Sequence, residues 1–220
     1  MLDAQQNTKE KLIEAGIHLF AQYGYAGTST RMISNAAGIN MNAIQFHFGG
    51  KEGLYKSVLE HVANTAKGFY YDINEDIALA AQEGKINEET VRTFISKLID
   101  IQLFYALEGE ITEILALMYW EQLEPQGEEY MPISKVALEK CEETLSALFF
   151  AANPNISPAN AAIISRFING GIISFGEHPA FVKNIQTKSF ATNYKLHIRN
   201  ILKPFIMDCI ERLLANSKQE

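Results

Sequence analysis

A chain of 220 residues, 47% of them hydrophobic, is long enough to bury a sizeable core and to divide into one small and one larger domain. Its net charge of −7, from 19 Lys and Arg against 26 Asp and Glu, argues against a strong non-specific nucleic-acid binder. Two cysteines without a CxxC pair argue against a disulfide scaffold, and apolar runs such as 111–120 stop short of the ~20 residues that span a bilayer.

The N-terminal segment MLDAQQNTKEK has no apolar signal core, so a cytoplasmic protein with no membrane partner is expected. No segment reads convincingly as a strand and no sequence repeats occur, which predicts an all-α fold of about nine helices. The first covers Thr8 to Tyr23, where Leu12, Ala15, Gly16, Leu19, Phe20 and Tyr23 recur at helical spacing on one apolar face.

The most informative stretch runs from Thr28 to Tyr55. Ile33, Ala36 and Ala37 keep helical spacing, Gly38 breaks the helix, and Ile44 and Phe48 resume the apolar stripe behind Ile39. Gly38 supplies the positive φ of a sharp turn, small Ala36 and Ala37 allow close approach of two helices, and Asn40 can cap the second. The pattern is a helix-turn-helix whose exposed side carries Met41, Asn42, Ala43 and Gln45.

From about Lys9 to Leu59 the chain resembles the DNA-binding domain of the TetR family of transcriptional regulators. The resemblance rests on LFAQYGYAGTS, the R-x-I-x-x-A-A-G-I core from Arg31, the aromatic close at Phe46, His47 and Phe48, and the Lys51-Glu52 start of a fourth helix. It implies a three-helix DNA-binding domain over 1–55 and a larger helical domain for ligand binding and dimerisation over 56–220. It also implies that Thr30 and Arg31 touch phosphate and base and that Asn40, Met41, Asn42, Ala43 and Gln45 face the groove. Phe46 would abut the sugar backbone, while His47 and Lys51 would meet phosphates. Arginine suits guanine, Asn42 and Gln45 suit adenine, and Met41 and Ala43 suit a thymine methyl. Alternatives stay open: Arg31 could be ion-paired, and His47 could be a satisfied interior histidine. Gln45 stands where the family usually has tyrosine, so the operator sequence is not carried over.

Charge divides along the chain. Residues 1–60 hold five bases and five acids, so the other 14 bases and 21 acids carry the whole −7. Any DNA contact therefore belongs at the N-terminal end, with few counterions to release.

Further helices follow. The fourth starts near Lys51 and runs towards Tyr70, and 82–85 is a loop. Asn87 caps a helix reaching about Leu107, with Gly109 interrupting before a shorter helix over 110–123. Pro125 and Gly127 lead to a helix from Pro132 to Phe150; Asn153-Pro154 is a loop. Ser157-Pro158 opens a helix ending at His178-Pro179, and a last helix over 188–214 carries Pro204 as a kink.

The segments ALMYWEQLEP and INGGIISFGEHPAF are similar to a TetR subgroup with a formerly uncharacterised C-terminal domain. That resemblance implies a homodimer through the last two helices, packed closely at Gly170, Gly171, Ser174 and Gly176; relief of packing within one subunit is the competing reading. It also implies a small-molecule effector in a cavity. The candidate lining is Leu103, Phe104, Leu107, Met118, Tyr119, Glu121, Gln122, Phe167, Ile168 and Phe175, each of which core packing would also explain. An exposed Glu121 is expected.

Cys141 and Cys209 read as free buried thiols. His18, His47, His61, His178 and His197 lack the i, i+4 pairing of a zinc helix, so no metal and no cofactor is expected. No nucleophile elbow, phosphate loop or convincing acid–base pair is present, Glu177 and His178 included, which speaks against an enzyme. The expected function is a ligand-responsive repressor of double-stranded operator DNA, with an activator, a partner-controlled regulator or a small helical enzyme left open.

Overall fold

The computed structural model describes residues 2–108, 111–123, 130–177 and 194–216, and the regular structure among them is all helical. In chain order the elements are α1 (Leu2–Gly27), α2 (Thr30–Ala37), α3 (Asn42–Phe48), α4 (Lys51–Gly68), α5 (Tyr71–Gln82) and α6 (Glu88–Glu108). There follow α7 (Thr112–Leu123), α8 (Pro132–Ser134), a π-helical segment Lys135–Glu139, α9 (Lys140–Ala152), α10 (Pro158–Glu177) and α11 (Tyr194–Asn216). Among the described residues no helix is long and apolar enough to cross a membrane. Gly109, Pro125, Gly127, His178, Pro179 and the expected start of the last helix at 188 lie outside the described residues.

Two compact units form. The first comprises 1–67 and 112–137, the second 68–111 and 138–220. The division expected after residue 55 is thus displaced to the end of α4, and α7 and α8 join the first unit. The cause is packing that sequence proximity does not suggest. Trp120 on α7 donates its indole N–H to the carbonyl of Ala21 at 3.1 Å, and Tyr130 donates its hydroxyl to the Lys56 carbonyl at 3.2 Å.

Within the first unit Leu12, Phe20, Ile33, Ile44, Leu54, Tyr55 and Val58 form a core without solvent access or nearly so. Phe20 meets Tyr55 edge-on at 4.8 Å between centroids, and Tyr25 leans on Tyr55 at 5.1 Å. Tyr23, assigned to the apolar face of α1, is instead exposed. It is the last residue before Gly24 departs from helical geometry, with φ 68° and ψ −179°. That departure is filled by Trp120, whose ring lies 2.9 Å from where a Cβ on residue 24 would stand.

The second unit packs α5, α6, α9, α10 and α11 around Val91, Ile95, Leu98, Ile99, Leu145 and Ile172. Helix starts follow their caps. The Asn87 side chain accepts from the Thr90 amide at 3.0 Å while the Thr90 hydroxyl accepts from the Asn87 amide at 2.9 Å, and Ser157 accepts from the Asn160 amide at 3.1 Å with Pro158 as the first residue of α10. Helix α5, which the periodicity does not single out, turns only Ile73 and Ala80 fully inward. The helix expected from Pro132 to Phe150 is broken by the π segment immediately after residues whose amides Glu121 holds. Helix α11 continues through Pro204. Cys141 is buried, whereas Cys209 is exposed, contrary to expectation, because it faces an open groove beside α10.

Candidate nucleic-acid interface

Ser29 caps α2, its side chain accepting from the Met32 amide at 3.2 Å. Gly38 ends the helix with φ 65° and ψ 29°, and its N–H turns back to the carbonyl of Asn35 while that of Ile39 reaches Ser34. The chain then enters α3 through Asn40, whose side-chain oxygen accepts from the Asn42 amide at 2.9 Å. Ala36 is exposed, so Ala37 alone of the two small residues is even partly enclosed at the turn.

This turn decides which side of α3 faces out. Ile44 is buried, Phe48 is half-buried, and Met41, Asn42, Gln45 and Phe46 are exposed, with Phe46 at 75% the most open of the large side chains there. Met41 with Gln45, and Asn42 with Phe46, are i, i+4 pairs, so the four form one strip along the helix. Ala43 and His47 flank it with partial exposure. The His47 ring is bracketed edge-on by Phe46 and Phe48, at 4.9 and 6.2 Å between centroids. The Gln45 side chain bends over Gly50, its Oε1 3.5 Å from where a Cβ there would stand.

On α2, Thr30 is partly exposed and Arg31 exposed. Lys51 opens α4, and its ammonium sits 4.1 Å above the centroid of the Tyr25 ring. Tyr25 is a member that sequence reading did not single out. It lies 26 residues from Lys51, and no local pattern announces the pairing. The aromatic cluster of Phe20, Tyr55 and Tyr25 thus seats a cation at a helix N-terminus, where backbone amides also favour an anion.

The residues expected to line an effector cavity divide between the units. Leu103, Leu107 and Ile168 are packed together in the second unit's core with Phe175 partly buried against them, whereas Phe104 and Phe167 are exposed. Met118, Tyr119, Glu121 and Gln122 belong to the first unit; Met118 is buried, and Tyr119 and Gln122 are exposed.

Glu121 corrects an expectation outright. It is 2% exposed, and its carboxylate accepts from the amides of Ile133 and Ser134 and from the Ser134 hydroxyl, each at 2.9 Å. Burial raises its pKa, and the hydrogen bonds from Ile133 and Ser134 offset part of that rise. The group is engaged as the N-terminal anchor of α8.

In the second unit, α10 and α11 enclose a groove of about 390 Å³ lined by Ile163, Phe167, Gly171, Phe175, Phe205 and Cys209 among others. Phe167 and Phe205 are 78% and 62% exposed there. A Cβ on Gly170 or Gly171 would meet no atom of the described residues within 4 Å, so none of these crowds either glycine.

Residues 12–58 match the family model described as bacterial regulatory proteins, tetR family. The chain is similar to YttP of Bacillus subtilis (strain 168), a probable HTH-type transcriptional regulator, at 37% identity over 109 residues covering 50% of this chain and 49% of the relative. It is similar to the HTH-type transcriptional repressor NicS of Pseudomonas putida at 30% identity over 115 residues, covering 51% and 50%. The chain therefore spans about half the length of these curated relatives. In fold it is similar to the crystal structure of HlyIIR, a hemolysin II transcriptional regulator, with TM-score 0.60 and 18% identity over 93% of this chain and 97% of that one.

Proposed function

The chain belongs to the TetR family of bacterial regulatory proteins, and from that premise we propose that it is a transcriptional repressor that binds an inverted-repeat operator as a homodimer and lets go when a small apolar or amphipathic molecule binds. The observation that carries the DNA reading is the strip of Met41, Asn42, Gln45 and Phe46 on α3, held outward by the Gly38 turn and the buried Ile44. Two amide side chains suit adenine edges, and the apolar members suit thymine methyls. Arg31 supplies guanine reading, with Thr30, His47 and Lys51 on the phosphates. The likeness to NicS, a transcriptional repressor, favours repression over activation.

One such head with so few cations binds weakly, so affinity has to come from two heads on one operator. The open apolar groove of α10 and α11 supports pairing with a second copy, and the glycines at 170 and 171 permit close approach there. The reading helices of such a dimer stand about 34–36 Å apart or modestly more. An effector acts by binding better to the dimer whose heads are wrongly spaced, and DNA then weakens effector binding by the same coupling energy.

The test is a footprint on the DNA upstream of the protein's own gene, with sedimentation of the free protein. Two-fold symmetric protection and a dimer are expected, and Phe167→Asp should give a monomer with much weaker operator binding. A monomeric wild type, or a footprint without symmetry, overturns the reading. A reporter fused to the same promoter distinguishes repression from activation.

A further inference from the structure

A run of polar side chains crosses the apolar core of the second unit and takes no part in DNA reading or in the groove. Gln102 on α6 and Asn169 on α10 are 4% and 1% exposed. The Gln102 side-chain amide Nε2 donates to Asn169 Oδ1 and to Cys141 Sγ, both at 2.9 Å. Asn169 Nδ2 donates in turn to Glu142 Oε1 at 3.2 Å, and the same oxygen takes Arg166 Nη1 at 2.9 Å.

The charge at the outer end sets the direction of the whole chain. An ionised Glu142 only accepts, so Asn169 must turn its NH2 group towards it and its oxygen inward; Gln102 must then present its own NH2 to that oxygen. The Gln102 Oε1 is left as the inner terminus. It is buried and meets no donor among the described residues. Leaving such an acceptor unmet forfeits the hydrogen bonds it had in water, whereas methionine would occupy nearly the same volume without that penalty.

The surroundings match a recognition point. The Tyr70 phenol shares the Cys141 thiol, and burial pushes that thiol up to about 12, which keeps it neutral. Tyr105 lies within electrostatic reach of Tyr70 and stacks on Phe69 at 3.8 Å between centroids. Through the shared Cys141 thiol the oriented amide of Gln102 is linked to the Tyr70 ring, and a polar atom with an aromatic neighbour is the pairing a small-molecule site uses.

We propose that Gln102 Oε1 is the point at which the effector is read, and that the effector is a neutral aromatic or apolar molecule carrying a hydrogen-bond donor, a hydroxyl or an amide N–H. The inference rests on the effector-responsive reading above and narrows its chemistry. Glu142 is already paired with Arg166, so a buried ammonium would lack a counter-charge, and an anion would face an acceptor oxygen. A molecule without a donor would leave the Gln102 oxygen as costly as before.

The test uses the full chain and two fragment probes observed by fluorine NMR, para-fluorophenol and para-fluoroanisole, which share a ring and differ in the donor. The phenol signal is expected to broaden with wild type and to stay sharp with Gln102→Met, while the anisole signal stays sharp with both. Circular dichroism melts check folding; should the methionine variant not fold, Gln102→Asn, which withdraws the same amide by one methylene, carries the comparison. No broadening of the phenol by wild type, broadening that survives the substitution, or equal broadening of the anisole overturns the proposal. Operator binding by the same samples keeps the two readings apart, since retained DNA binding with a silent phenol probe sinks only the effector chemistry.

Discussion

Glu121 takes the backbone amide and the hydroxyl of Ser134 on one carboxylate oxygen, each at 2.9 Å, while its other oxygen takes the amide of Ile133 at the same distance. One buried carboxylate thereby satisfies the start of a helix three residues long, which has no turns of its own to hold it. Glu121→Ala should cost about 2–4 kcal/mol, since it strands two buried amides, and Glu121→Gln less, since one acceptor oxygen survives. Urea unfolding of the three proteins measures it. The pH dependence follows from burial raising the folded-state pKa of Glu121 above its unfolded value. Its contribution to stability is then fullest below the ordinary carboxylate range and declines as pH climbs through the raised value. The gap between wild type and Glu121→Gln should narrow over that climb, and a widening gap would contradict the assignment.

Gly24 and Trp120 give a second expectation. A side chain at position 24 must adopt a φ of 68° and displace a ring 2.9 Å away, so Gly24→Ala combines backbone strain with overpacking. A loss of about 1–3 kcal/mol is expected. Gly24→Ala combined with Trp120→Ala should recover the steric part but not the strain. A thermal melt of the double variant no better than the sum of the singles would remove the ring contact from the account.

What the sequence made legible is local. Gly38, Asn40 and the alternation of buried Ile33 and Ile44 with exposed Asn42 and Gln45 all lie within 13 residues, and each follows from helical period or cap chemistry. The partners of Glu121 lie 12 and 13 residues away, those of Gln102 39 and 67 residues away, and Lys51 reaches Tyr25 across 26. No periodicity encodes such pairings. Glu121 read as an exposed helical acid because a buried carboxylate needs a hydrogen-bond partner that its local sequence does not show, and only the return of the chain at Ile133 and Ser134 supplies one. Tyr23 fails at the other limit of such a reading: it is the last position of its period, directly before Gly24 departs from helical geometry.

Asp100 ties α6 to α11. It accepts from Arg199 at 2.8 Å and from Lys203. Burial pushes its pKa up, but hydrogen bonds from Lys203 and Arg199 outweigh burial and hold it below the ordinary value. Its stabilisation is therefore present above the ordinary carboxylate range and lost as pH falls through the lowered value. All three side chains are about a third exposed, so Asp100→Asn should cost only about 0.5–1 kcal/mol, and less in high salt. The wild-type advantage should vanish in acid; an advantage that persists below the carboxylate range would show that shape, not charge, holds the contact.

Arg31, Gln45 and Lys51 should separate base reading from phosphate anchoring. Arg31 and Gln45 are exposed beside the Gly38 turn and on α3, whereas Lys51 is seated over Tyr25 at the start of α4. Arg31→Ala and Gln45→Ala should each cost about 1–3 kcal/mol per half-site on the operator and relax base preference. Lys51→Ala should weaken operator and scrambled DNA alike and flatten the salt dependence, because it removes a cation whose phosphate contact releases a counterion. Folding should survive the first two unchanged; the third also loses a cation–π contact, worth about 0.5–1 kcal/mol at a partly exposed site. The measurement is a titration of each variant against operator and scrambled duplexes at several salt concentrations. If both Arg31→Ala and Gln45→Ala leave the operator-to-scrambled ratio unchanged, base reading belongs to other residues of the strip, Asn42 and Phe46 first among them. If Lys51→Ala alters that ratio, its ammonium is not merely a phosphate anchor.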